Sequence, residues 1–160
     1  MSLSGTPYYA SQSDLILKWG TDTIVQWSDL DGAGSVNTSR VNVALLWADA
    51  QINSCFFAGG IYTVGPGQPL TLGPISTVLT NQWACVIAGV YLYEVRSGRD
   101  ERYLNNLRPQ LDEVMKAMHL AASDTKNAMG FDAQRRWPVT NAAVGYCPRV
   151  LGQAPGLGGY

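Results

Sequence analysis

Residues 75–93 carry no charged side chain, and this stretch constrains the fold more than any other feature of the sequence. Its apolar residues fall on nearly every side of a helix drawn through it, which is typical of a helix buried on several sides. Pro74 fits the first turn of such a helix, and Gly98 follows its end. The longest unbroken apolar run, 83–93, is too short to span a bilayer. We therefore predict that this segment is the central helix of a bundle and has no membrane role.

Two further long helices are predicted, one before and one after the central helix. Apolar residues recur at helical spacing from about residue 38 to the pair Gly59 and Gly60. Over 104–121 they recur at intervals of three and four residues, which defines one continuous stripe. Pro109 lies off this stripe, so we expect a kink or a restart of the helix at that position.

Two short helices are predicted near the N-terminus. In 11–19, Ser11 and Asp14 have the spacing of a capping box, which marks the start of a helix. A second short helix is predicted over 22–29, before a turn rich in aspartate and glycine. Together these elements predict an all-α fold, a small bundle of four or five helices.

Glycine and proline are concentrated in two segments outside the predicted helices. Residues 59–74 hold five glycines and three prolines, so we expect a long loop that is either functional or a mobile connection. Residues 139–160 hold five glycines, two prolines and a single charged residue, Arg149, among many apolar side chains. This composition favours an extended arm that orders on a neighbour, although a frayed terminus is the alternative. We predict a helical domain over 1–130 and an arm over 131–160.

The composition argues against several classes of function. Charged residues make up 14% of the chain, against about 25% in an average globular protein. A surface short of charge is often covered by partner proteins. The formal net charge is −1, whereas a dedicated nucleic-acid-binding protein normally has an excess of basic residues.

No catalytic or cofactor-binding set is recognisable. His119 is the single histidine, and no acidic or cysteine partner lies at ligand spacing from it in the sequence. The loop 29–40 has the glycine of a calcium-binding loop at Gly34, but Arg40 stands where the last acidic ligand belongs. We expect a turn there, and we expect neither enzymatic activity nor a bound cofactor or metal.

The three cysteines are far apart and form no metal-ligand motif, which is typical of reduced thiols inside a cell. The N-terminal residues lack the basic and apolar regions of a signal peptide. Both observations favour a cytosolic setting for the protein.

Partner contacts are predicted mainly in the arm, because its apolar residues cannot form a core of their own. The predicted arm contacts are Arg149, Val150, Leu151, Leu157 and Tyr160. Weaker candidates are Tyr62 in the loop and the basic and aromatic run Arg135, Arg136 and Trp137. Trp19, Trp47 and Trp83 lie in apolar helical contexts, so we expect them in the core.

A series of short motifs in a fixed order resembles a known family. The motifs are Tyr9-Ala10-Ser11 before Asp14-Leu15, Trp19-Gly20, Ser28-Asp29-Leu30-Asp31-Gly32, Ala48-Asp49-Ala50-Gln51-Ile52, Tyr62, Ile87-Ala88, Tyr91-Leu92-Tyr93 and Arg96. Together they resemble the Mu-like phage family of head–tail connector proteins, also called adaptor or head-completion proteins. The resemblance covers residues 8–122, and the ending from Pro148 to Tyr160 is similar to that of some members.

The resemblance implies a structural protein of the virion neck that is assembled in the cytoplasm of the host. It implies a dodecameric ring that binds beneath the portal protein, extends the DNA channel and offers a surface to the next neck or tail protein. DNA would pass through the lumen without specific binding. The alternative from the residues alone is a cytosolic helical adaptor or regulatory binding protein unrelated to virions.

Overall fold

A computed structural model describes residues 5–64, 69–124 and 130–136 of the chain. This part forms five α-helices, with a π-helical turn before the last. They are α1 (Gln12–Trp19), α2 (Thr21–Ser28), α3 (Thr38–Gly59), α4 (Pro74–Ser97) and α5 (Arg108–Ser123), and the π-helical turn is Tyr103–Leu107. The predicted small all-α bundle is confirmed.

The α4 helix lies at the centre of the bundle, as predicted. It contacts each of the other four helices, and every residue from Trp83 to Val90 is buried. By length and composition α4 could also cross a membrane, but 61% of its most apolar window is buried inside the bundle. Its apolar character therefore reflects the packing of a core helix.

The two short helices are separated by a single residue. Ser11 and Asp14 form the predicted capping box at the start of α1, where Ser11 Oγ accepts the Asp14 N–H at 3.2 Å. Gly20 ends α1 and precedes α2 with a φ of 86°, a backbone conformation that glycine adopts readily. This turn lets both helices pack against α4.

Pro109 restarts the last helix, which was one of the two predicted outcomes. Residues 103–107 form a π-helical turn, and the Arg108 N–H donates to the Tyr103 carbonyl. In a regular α-helix the Pro109 ring would clash with the carbonyl four residues earlier. Proline also lacks the N–H that would donate a hydrogen bond to that carbonyl. The wider turn precedes Pro109, so the helix continues as α5 and keeps its buried face, including Met118 and Ala121, against the bundle.

An aromatic cluster lies within the core. Phe131 stacks on Phe56 and Trp83 with ring centroids 5.0 and 5.8 Å apart, and Tyr62 meets Phe131 edge-on at 5.4 Å. These residues come from α3, the following loop, α4 and the segment after α5. The cluster therefore joins parts of the chain that are distant in sequence.

Candidate interaction surface

Most of the predicted partner contacts lie outside the described residues. These are Trp137 and the five arm residues Arg149, Val150, Leu151, Leu157 and Tyr160. Their roles stay predictions. Tyr62, Arg135 and Arg136 are described, and they lie together on one side of the domain.

The segment 130–136 is built into the helical domain. The Gln134 N–H donates to the Thr71 carbonyl at 2.8 Å, and the Arg136 N–H donates to the Ile61 carbonyl at 2.8 Å. Phe131 is 1% exposed and Ala133 is also buried. The first six residues of the predicted arm therefore complete the core, and the part of the arm outside the described residues is 137–160.

Asp132 in this segment caps the N-terminus of α4. Its carboxylate accepts the Ile75 N–H at 3.2 Å and the Ser76 N–H at 2.7 Å, and the Ser76 hydroxyl also donates to it. Gly73 passes so close that a Cβ there would collide with the Asp132 carboxylate. Asp132, which is 56 positions from Ser76, thus supplies the cap that Gly73 has no side chain to provide.

The charge of Asp132 should make the domain less stable in acid. Donation from Ser76 and from the helix N–H groups lowers the pKa of Asp132 below its ordinary 3.8. The unfolded chain therefore protonates Asp132 at a higher pH than the folded chain does. The stabilisation of the folded domain by ionised Asp132 is complete above about pH 4 and is lost as the pH falls through the lowered pKa. We expect Asp132→Asn to lower the urea midpoint at pH 7 and to differ less from wild type below pH 3. A difference that stayed constant from pH 7 to pH 2.5 would contradict this.

Tyr62 and Arg135 form an internal pair. The two residues are joined by an antiparallel β-bridge, and the Arg135 guanidinium lies 5.3 Å from the centre of the Tyr62 ring. Arg135 also donates to the Asp124 carbonyl at 2.9 Å, near the end of α5. The Tyr62 side chain is buried, so here it contacts its own domain and offers a partner almost no surface. Arg136 keeps an exposed side chain and is available to a partner.

Tyr9, one of the residues in the family-like motifs, joins three parts of the domain. Its hydroxyl accepts the Leu70 N–H at 2.8 Å and donates to Asn53, while its carbonyl accepts from Asn81 at 3.1 Å. Burial raises the pKa of Tyr9 to about 12, so the hydroxyl stays protonated as this network requires. The Tyr9 motif is therefore structural.

Asp49, from another of those motifs, holds the N-terminal segment on α3. Its carboxylate accepts the Tyr8 N–H at 2.6 Å and the Tyr9 N–H at 3.4 Å. Burial raises the pKa of Asp49, and the two N–H donors oppose that rise. The two motifs thus meet in space and fix how the chain enters the bundle.

The prediction that Trp47 lies in the core is wrong. Trp47 is 47% exposed on the outer side of α3 and stacks on Tyr91 of α4, with ring centroids 5.8 Å apart. It belongs to a line of residues that repeats at intervals of three and four along α3. We call this line the α3 stripe, and its members are Val43, Trp47, Ala50, Ser54 and Phe57.

The α3 stripe has no charged residue. Only Arg40 and Asp49 are charged in the whole of α3, and Asp49 is buried. Four of the five stripe residues are exposed, and Val43 is half-buried. A long surface of this kind on a folded domain favours contact with protein. The sequence does contain a signal for the α3 stripe. The α3 helix also has a full buried face, and yet the stripe itself has no charged residue.

Two shallow grooves share Tyr91 in their linings. One, of about 260 Å³, lies between α3, α4 and α5, and the Trp47 and Met115 side chains line it. The other, of about 230 Å³, is lined by Trp27, Arg40 and Val95. The Trp27 Nε1 is buried and has no hydrogen-bond partner among the described residues. Both grooves are mainly apolar and extend the exposed surface beside the stripe.

His119 and Cys55 meet, which the sequence spacing did not indicate. Cys55 Sγ lies 3.5 Å from His119 Nδ1 across the contact between α3 and α5. Burial raises the pKa of the Cys55 thiol, whereas a reactive cysteine needs a lowered one. The pair therefore joins α3 to α5, and burial favours the protonated form of its thiol.

The loop after α2 is a turn held by the side chain of Asp29. The Asp29 carboxylate accepts N–H groups from Asp31, Ala33 and Gly34 at 2.6 to 3.2 Å. These donors lower the pKa of Asp29. Within the described ranges, no three histidine, cysteine or acidic side chains come together as metal ligands would.

Comparison with known proteins identifies a family. A family model described as Bacteriophage Mu, Gp36 matches residues 9–143, which is most of the chain. No curated protein and no solved structure matches. The resemblance to Mu-like phage proteins is confirmed, and the chain belongs to the bacteriophage Mu Gp36 family.

Proposed function

We propose that this protein is an adaptor of the virion neck, which binds as a ring beneath the portal and joins it to the next neck or tail protein. Membership in a bacteriophage Mu family supports a phage structural or morphogenesis protein associated with the virion. The observation that carries the finer assignment is the uncharged, exposed α3 stripe, because a surface of this kind fits contact between protein subunits.

Other exposed apolar side chains support a protein with several neighbours. Leu17 on α1 is 83% exposed, and Ile75 and Val78 lie exposed on one side of α4 near its start. These positions lie on different helices from the α3 stripe. A subunit in a ring needs contact surfaces on two sides as well as one toward the portal, since each copy touches the next in a head-to-tail arrangement.

The charge balance supports passage of DNA without binding. The whole chain has a formal net charge of −1, so a ring of copies would carry no excess of positive charge for phosphate groups. We expect no measurable retention of double-stranded DNA by the purified protein at physiological salt. Tight, salt-sensitive DNA binding would contradict this part of the proposal.

The portal interaction can be tested by mass. Portal rings from the same phage, measured alone and with the full chain by native mass spectrometry, should gain a fixed multiple of 17.3 kDa. Arg149→Ala should weaken this attachment, because arm residues make the predicted contact, whereas Arg108→Ala on α5 should not. Deleting residues 139–160 should abolish attachment and leave the helical circular dichroism signal intact, since every described contact lies before residue 137.

The alternative gives a different result in the same experiment. A cytosolic regulatory adaptor would show no association with the portal and would remain a small stable oligomer or monomer. Normal attachment of the truncated chain would contradict the role of the arm while leaving the adaptor assignment standing.

A further inference from the structure

The C-terminal end of the α3 stripe lies close to Arg136, the last described residue of the chain. Phe57, the last residue of the stripe, is 62% exposed and lies two residues before the end of α3. Four positions later, the Ile61 carbonyl accepts the N–H of Arg136 at 2.8 Å. Residues 137–160 therefore start beside the C-terminal end of the stripe.

The length of this segment is sufficient to cover the stripe. The distance along α3 from Phe57 to Val43 is about 21 Å at the rise of an α-helix. The 24 residues from 137 to 160 can span up to about 80 Å when extended. The segment can thus follow the stripe from Phe57 toward Val43 with many residues to spare.

The chemistry of the two surfaces also matches. The stripe has no charge and presents two large aromatic side chains, Trp47 and Phe57. The segment 137–160 has one charged residue, Arg149, and begins with the apolar residues Trp137 and Val139. Aromatic side chains bury large apolar areas on contact, so the two parts favour each other over water.

We propose that residues 137–160 dock on the α3 stripe of their own chain, running from Phe57 toward Val43. Attachment to the same domain favours this over docking on another copy, because a short tether gives an effective concentration in the millimolar range. The first residues of the segment cover Phe57, and later ones cover Trp47.

Such docking would link two contacts in assembly. This consequence rests on the proposed function, whereas the docking does not. When the portal binds residues 137–160, the α3 stripe is uncovered and a neighbouring copy can bind it. Free subunits would then keep their subunit-contact surface covered until the portal is bound.

Photo-cross-linking on the full chain tests the docking directly. The photoreactive residue p-benzoylphenylalanine replaces Phe57 or Trp47, and a matched control carries it in place of Leu17, which is 83% exposed on α1. The protein is irradiated without portal as a dilute mixture of unlabelled and nitrogen-15-labelled chains. We expect links to residues 137–160 within one copy from positions 57 and 47, with a yield roughly tenfold or more above that from position 17. Position 57 should link nearer to residue 137 than position 47 does.

Three results would overturn the proposal: no links from either position to 137–160, links only between labelled and unlabelled copies, or an equal yield from position 17. The second result would show that another copy occupies the stripe. Because no portal is present, each of these failures leaves the portal-binding measurement unaffected. Loss of portal binding with normal cross-links would conversely reject the adaptor assignment alone.

Discussion

Replacing Phe131 with alanine should destabilise the domain more than any other single truncation discussed above. The side chain is 1% exposed and stacks on both Phe56 and Trp83, which also contact each other, so its removal leaves a cavity among rigid rings. Substitutions of this kind lower the free energy of unfolding by about 3–5 kcal/mol. That is a large part of the roughly 5–15 kcal/mol by which a domain is usually stable. Urea unfolding followed by far-ultraviolet circular dichroism measures the change.

Tyr8→Ala provides the control for this prediction. Tyr8 is an aromatic residue of similar size whose side chain is exposed, and its structural contact uses the backbone N–H, which alanine retains. We expect a change within about 0.5 kcal/mol. If Phe131→Ala were as mild as Tyr8→Ala, then segment 130–136 would not be part of the core, and the domain would end at α5.

Replacing Gly89 with alanine should displace α1 from α4. A Cβ on Gly89 would lie 2.6 Å from Trp19 Cε2 and closer still to Nε1, so the indole has to move. Trp19 has little freedom, because its Nε1–H donates to the Cys85 carbonyl at 2.9 Å and its ring packs on Trp27. Overpacking of this kind costs about 1–3 kcal/mol. Loss of the hydrogen bond adds about 0.5–1.5 kcal/mol.

A double-mutant cycle separates this collision from the effect of alanine on the helix. Alanine in a helix interior is intrinsically favoured over glycine by about 1 kcal/mol. In a Trp19→Phe background, where the smaller ring leaves space, Gly89→Ala should therefore become neutral or stabilising. Equal costs of Gly89→Ala in both backgrounds would show that Trp19 does not contact Gly89.

The helices could be predicted because their signals are local. The capping box of Ser11 and Asp14 and the all-round apolar pattern of α4 each depend on residues within one helix. The restart at Pro109 follows from the covalent geometry of proline, although the π-helical form of the turn before it does not. Periodicity alone also led to a wrong prediction for Trp47, because the sequence pattern around an aromatic residue does not show whether another helix covers its side chain.

The candidate surface was only partly predictable. The composition of 139–160 predicts a segment that needs a partner, and this prediction depends on the sequence alone. The position of the α3 stripe beside the start of this segment depends on the contact between Arg136 and Ile61, which are 75 positions apart. No local pattern encodes that contact.

The sequence by itself determined the class of fold, the helix starts and the lack of charge on the outer side of α3, because each of these depends on neighbouring residues and on their intrinsic chemistry. Only the tertiary structure decided that Asp132 caps α4, that Phe131 completes the core and that Gly89 must be glycine. These depend on which side chains from distant parts of the chain reach the same place. A protein interior is closely packed, so these tertiary contacts depend on how all the helices pack together. No single segment therefore specifies them.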